Sequence, residues 1–214
     1  NIIFIAILVG KLPPEQRDKG RILGLSLAML TRVALLLSLF WIMKLTKPLF
    51  NIGELSITGR DLVLIIGGLF LIIKSSMEIH ANATGKHEEA HESKSHPSFF
   101  ATIIEIGILD IVFSLDSVIT AVGMAQHIEI MILAVIIAVG VMMFASKAIS
   151  EFVDNNPTIK MLALAFLVLV GFALVLDGFS VHVPKGYIYF AMGFSLAVEC
   201  LNIYARKRAL RKQK

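Results

Sequence analysis

The 214-residue chain is 57% apolar by Ala, Val, Ile, Leu, Met, Phe, Trp, Tyr and Cys alone, before any of its 15 glycines is counted. Only 17% of it is charged, and its mean hydropathy is +0.81. Soluble domains average about 45–50% apolar with glycine included and about 25% charged. A water-soluble enzyme, a disordered tail and a disulfide-built secreted domain are therefore excluded, and an all-α, polytopic membrane protein is expected.

A membrane span needs about 20 mostly apolar residues. Residues 1–10 are apolar but would rise only about 15 Å as helix, half a bilayer. They read as the second half of a first span whose beginning precedes Asn1, and no signal peptide is visible. Full spans are predicted at 22–43, 61–79, 98–125, 129–149, 158–176 and 186–204. This makes seven spans with the first incomplete. The connectors carry Pro13-Pro14, Lys47-Pro48, Asn156-Pro157 and Val183-Pro184, residues that interrupt helices.

Basic residues divide unevenly between alternate connectors. Fifteen lie on one side, among them Lys11, Arg17, Lys74, Lys86, Lys147 and Lys160, and four on the other: Lys44, Lys47, Arg60 and Lys185. Arg32 falls inside a span. The bias predicts a cytoplasmic C-terminus. Six of the fifteen form the tail Arg206, Lys207, Arg208, Arg211, Lys212 and Lys214, which accounts for much of the net charge of +4. Beside a span such a cluster reads as an anchor to anionic lipid rather than a nucleic-acid site. The lone cysteine, Cys200, allows no internal disulfide.

A faint internal repeat runs through the chain. The segment beginning at Asn1 resembles that beginning at Ser117, Phe70 falls over Phe172, and His80 over His182. With three spans per copy, the two copies, about 1–80 and 98–182, would be inverted relative to one another and followed by a last helix at 186–204. Secondary transporters use this plan, with the substrate site near midplane.

The charges inside the spans carry the functional signal, because an ionisable side chain near the bilayer centre costs about 2.5–3.5 kcal/mol on insertion scales. The fourth span holds Glu105, Asp110 and Asp116. Glu105 and Asp116 fall about 20° apart on one helical face, while Asp110 and Ser117 share a second face. A break near residues 114–117 would let both aspartates and freed carbonyls point into one cavity. Arg32 is the evident intramembrane partner and can neutralise one acid, not three. The last span adds Glu199 and Asn202, one turn apart near its cytoplasmic end, where snorkelling is the competing explanation. Lys147 and Asp177 sit near span ends and read as interfacial. Carboxylate, hydroxyl, amide and carbonyl oxygens together suit Mg²⁺, Mn²⁺ or Ca²⁺. The candidate metal set is thus Asp110, Asp116, Glu105, Ser117, Asn1, Glu199 and Asn202, with Arg32 as charge partner and the metal as cargo, not cofactor.

Four of the six histidines fall at residues 80–96. His87-Glu88-Glu89-Ala90-His91 matches the HExxH pattern of zinc proteases by letters. It stands in a hydrophilic connector on the basic side, where nothing shields a catalytic water, so it reads as a solvated loop or a weak metal-capture segment. Asn82-Ala83-Thr84 is a glycosylation sequon by letters only, on the side that is not glycosylated.

The run Asp110-Ile-Val-Phe-Ser-Leu-Asp-Ser-Val-Ile-Thr-Ala-Val-Gly123 resembles the TerC family of bacterial integral membrane proteins. The likeness is to its short seven-span inner-membrane members, and Pro13-Pro14-Glu15-Gln16-Arg17 and residues 183–202 support it. The resemblance implies membership of a larger exporter superfamily and efflux of Mn²⁺. Asp110, Asp116 and Ser117 correspond to the second acidic motif, preceded by Glu105. Glu199 and Asn202 correspond to the polar pair of the last span, and Asn1 to the end of a first-span motif whose acids lie upstream. Roles beside the protein-export machinery are also implied within the family. The expected function is proton-coupled export of a hard divalent cation, with no enzymatic activity. The alternative is a membrane scaffold whose acids pair structurally and whose basic tail or histidine loop touches a partner. A membrane-protein partner or a homo-oligomer is compatible with both.

Overall fold

The computed structural model describes residues 2–38, 46–52, 55–84, 98–124 and 127–211, the side chains at 50–55, 116, 120–124, 207, 210 and 211 excepted. Seven α-helices and one small hairpin make up the described chain: α1 (Ile2–Gly10), α2 (Pro14–Leu37), β1 (Pro48–Ile52), β2 (Leu55–Thr58), α3 (Gly59–Ala83), α4 (Phe99–Met124), α5 (Ile128–Asp154), α6 (Pro157–Gly178) and α7 (Lys185–Arg211). Five of them, α2, α3, α5, α6 and α7, are long and apolar enough to cross a membrane. Their length lets each close its backbone hydrogen bonds internally, which a lipid solvent demands.

The short α1 is apolar on every side, and Phe4 to Val9 are all buried. Such a helix belongs in the middle of a bundle. Phe4, Ile5, Leu8 and Val9 pack with Leu25 of α2, Leu71 of α3, Ile106 and Leu109 of α4 and Val139 of α5 to form the main core.

α2 begins at Pro14, eight residues before the span predicted at 22. Pro14 stands at the first helical position, where its missing N–H costs nothing, so the polar turn after it is helical as well. The helix ends at Leu37, and Ser38 caps it by donating its N–H to Ala34 O. The predicted end at 43 lies outside the described residues.

The antiparallel β1–β2 hairpin, pairing Ile52 with Leu55 and Asn51 with Ser56, occupies the connector between the spans predicted at 22–43 and 61–79. Its alternation of Leu55 and Ile57 with Ser56 and Thr58 is the period-2 pattern of a strand. Thr58 then starts α3 through a capping box. Its hydroxyl accepts from Asp61 N at 3.2 Å, and Asp61 Oδ2 accepts from Thr58 N at 2.9 Å. Thr58→Ala is expected to lower stability by about 1 kcal/mol, read as a fall in the thermal midpoint of the detergent-solubilised protein.

α3 and α6 lie antiparallel in the closest contact of the bundle. A Cβ on Gly68 would stand 2.6 Å from Gly171 O, and one on Gly171 would stand 2.9 Å from Gly68 O. One turn and more further along, a Cβ on Gly178 would meet Asp61 O at 2.9 Å. With lipid offering no hydrophobic drive between helices, small residues that let backbones touch are the means of association.

The ends expected on the basic side are gathered by ion pairs. Lys11, between α1 and α2, pairs with Glu78 of α3, and Arg17 of α2 stands 3.7 Å from Asp154 at the end of α5. α7 packs against α6 and leaves Tyr187, Phe190, Phe194, Leu201 and Tyr204 exposed.

Candidate functional site

Among the described residues the deepest charge is Asp110, whose side chain is 2% exposed. Arg32 of α2 reaches it across the α2–α4 seam with both kinds of guanidinium nitrogen: Nη2 donates to Oδ1 at 2.6 Å and Nε to Oδ2 at 3.3 Å. The Thr31 hydroxyl, which also faces the Leu27 and Ala28 carbonyls, lies 3.2 Å from Oδ2. The Ser114 hydroxyl, one turn along α4, lies 3.2 Å from the same oxygen. The carboxylate is therefore met by a two-point ionic clamp and two hydroxyls. Such saturation is what keeps an ion pair tolerable in a low dielectric. Thr31 and Ser114 were not expected in the site, although adjacency to Arg32 and the i,i+4 spacing from Asp110 placed them there.

Arg32 is 20% exposed because it also fronts a cavity of about 370 Å³. It is lined by Arg32 of α2, by Phe113 and Ser117 of α4, by apolar residues of α1, α5, α6 and α7, and by Asp177 and Lys185 at the α6–α7 corner. Asp110 is not among the lining residues: the guanidinium stands between the carboxylate and the open space. A second hollow of about 280 Å³ shares Ile3, Ala163, Phe166 and Met192 with the first. It runs among Ile149, Phe152, Val153 and Ile159, near the opposite helix ends. Its apolar walls offer an ion nothing.

The remaining predicted residues are dispersed. Glu105 points to α3 and pairs with Lys74 at 3.1 Å. Beside Arg32, the partner expected for one of the acids, Lys74 thus serves a second. Lys74 lies inside α3, which continues to Ala83, and reaches back along the helix rather than out into a connector. Its ammonium also lies 5.8 Å from the Phe70 ring centroid.

The break at 114–117 that would have let both aspartates share one cavity does not occur. α4 is continuous from Phe99 to Met124, and the Ser117 hydroxyl returns to Ser114 O at 2.9 Å instead of marking a freed carbonyl. Asp116 lies on this helix, but its side chain is outside the described residues, as is Asn1. Glu199, half-buried, and Asn202, exposed, stay together on α7, with Asn202 Nδ2 donating to Glu199 Oε2 at 3.3 Å. Neither residue approaches Asp110, so the last-span pair does not join the site. Among the described residues no three carboxylate, imidazole or thiol side chains converge as a metal cage. Residues 85–97, with His87, His91 and His96, lie outside the described residues.

Spanning helices around a buried ion pair define a multi-pass membrane protein with a polar interior. The whole chain, residues 1–214, matches the integral membrane protein TerC family, and it belongs to that family. It is 63% identical over 207 residues to the UPF0053 protein of Haemophilus influenzae, covering 97% of this chain and 87% of that one. It is 56% identical over 208 residues to the UPF0053 inner membrane protein YgdQ of Escherichia coli K12, with the same coverage. The inner membrane protein YoaE of that organism is 48% identical over all of this chain, which spans 41% of YoaE. No solved structure matches. The spans and these relatives make the chain a multi-pass inner-membrane protein.

Proposed function

We propose that the protein exports a hard divalent cation, manganese foremost, out of the cytoplasm in exchange for protons. The observation that carries this reading is the Arg32–Asp110 pair at the inner end of the cavity. A buried salt bridge adds little net stability over an apolar pair of the same size, so its retention asks for a function. At the cavity floor the pair can act as an exchangeable counter-ion. A cation arriving beside Ser117 competes with the guanidinium for Asp110, and Arg32 returns to the carboxylate when the ion leaves. Asp116, one helical turn and a half from Asp110, is the second acid assigned to the path.

The same reading takes α1 to α7 as seven spans, with the first and second sets of three inverted. The reciprocal contact of Gly68 and Gly171 across antiparallel α3 and α6 fits an axis lying in the membrane plane. The excess of basic residues at the α1–α2, α3–α4 and α5–α6 connections and in the tail assigns those ends, and the C-terminus, to the cytoplasm. The cavity then faces outward, and the Lys11–Glu78 and Arg17–Asp154 pairs close the cytoplasmic end.

A scaffold reading has one observation in its favour: Asp110 and Glu105 are both paired with bases. Manganese sensitivity separates the two. Cells relying on the chain carrying Asp116→Asn are expected to lose protection against external manganese at unchanged protein level, and everted vesicles to lose manganese uptake. Full protection with that variant would leave the scaffold reading standing.

A further inference from the structure

We propose that Asp177 and His182 form a second metal site, at the outer rim of the cavity, for a first-row divalent transition-metal ion. The local backbone builds the pair. α6 ends in a double hydrogen-bonded reversal, with Val181 N donating to Leu176 O at 2.9 Å and Ser180 N to Asp177 O at 3.0 Å. This is the Schellman pattern, whose pivot adopts the left-handed conformation and is usually glycine. Here the pivot is Ser180, at φ 61, held there at a cost of about 1 kcal/mol. The reversal swings His182 back over the last turn of α6 and against Asp177.

The result is a buried carboxylate, 6% exposed, under an imidazole that is 78% exposed. His182 Nδ1 and Asp177 Oδ1 stand 3.2 Å apart. That separation is at the long edge of a hydrogen bond. It is also close to the spacing of two cis ligands each about 2.1–2.2 Å from one ion, roughly 3 Å. One imidazole and one carboxylate are borderline and hard donors that together suit Mn²⁺, Co²⁺ or Zn²⁺ better than Mg²⁺. Water supplies the other positions, since the imidazole is open to solvent. Lys185, on the same rim, is the charge such an ion meets on approach. The site is separate from Asp110 and Arg32, and binding there does not depend on transport.

Co²⁺ titration of the purified full-length chain, followed by its visible absorption, tests the site. His80, His87, His91, His96 and His127 are replaced by glutamine so that only His182 remains. One equivalent of Co²⁺ is expected to bind in a His182-dependent way. His182→Gln, an exposed substitution that leaves the helix content in place, is expected to weaken it at least about tenfold. Asp110→Asn, which removes the proposed transport, is expected to leave it intact. Unchanged Co²⁺ affinity and stoichiometry in His182→Gln would overturn the inference. Loss of export in Asp110→Asn with Co²⁺ binding preserved would separate this site from the transport site.

Discussion

Arg32→Gln is expected to destabilise the protein by about 3–5 kcal/mol, the usual cost of stripping one partner from a buried ion pair. Asp110 is 2% exposed, and the guanidinium beside it is 20% exposed. With Arg32 gone, Thr31 and Ser114 still donate to it, but neither carries a charge. Asp110→Asn alone leaves a cation that is 20% exposed and lines the cavity, so its loss is expected to be smaller. The double variant Arg32→Gln/Asp110→Asn removes both charges and keeps two groups able to hydrogen-bond each other. It is expected to recover most of the stability lost in Arg32→Gln. A cycle of thermal midpoints in one detergent checks this, and the coupling between the two sites should exceed about 1 kcal/mol. Function is expected to part company with stability. The double variant is expected to fold and to export nothing, because the proposed counter-ion exchange needs both charges. A double variant with wild-type manganese efflux would mean that the pair is a structural fixture.

The sequence made this pair legible for a simple reason. One arginine and a few acids in otherwise apolar runs have few ways to be neutralised, and the midplane depth of Arg32 matches that of Asp110. The pairing of Glu105 was harder to read. Lys74 stands close enough to the predicted span end at 79 to pass as a connector residue, and only the continuation of α3 to Ala83 places it well within a helix, beside Glu105. The imagined break in α4 rested on serines near 114–117. Serine hydroxyls in a spanning helix can instead be satisfied within the helix, as Ser117 is by Ser114 O.

Hydropathy located the helices well because the bilayer demands long apolar segments. It was blind to the β1–β2 hairpin, whose strands are four and five residues long, and to the polar first turn of α2. The Asp177–His182 corner was invisible for another reason. Asp177 reads as an interfacial acid until the backbone reversal at Ser180 is known, and a serine gives no warning of a left-handed pivot where a glycine would.

The α3–α6 crossing sets the scale of the other large effect. Gly171→Val is expected to lower stability by about 3 kcal/mol or more, beyond the usual 1–3 kcal/mol of overpacking. At this crossing the obstacle is a rigid backbone. The first added carbon would stand 2.9 Å from Gly68 O and 3.3 Å from Ile72 N, and neither atom can turn aside as a side chain would. The Ile72 side chain, 2.8 Å away, can move, but only into space the two helices already share. The helices must therefore separate along the contact that runs from Gly68 to Gly178. Their separation would also displace Leu174 and Asp177, which line the cavity from α6. The same substitution at Gly140 or Gly193, where a Cβ would meet nothing within 4 Å, is expected to change the thermal midpoint little. Helix propensity alone separates valine from glycine by only a few tenths of a kcal/mol. Equal midpoints for Gly171→Val and Gly193→Val would show that α3 and α6 do not meet backbone to backbone.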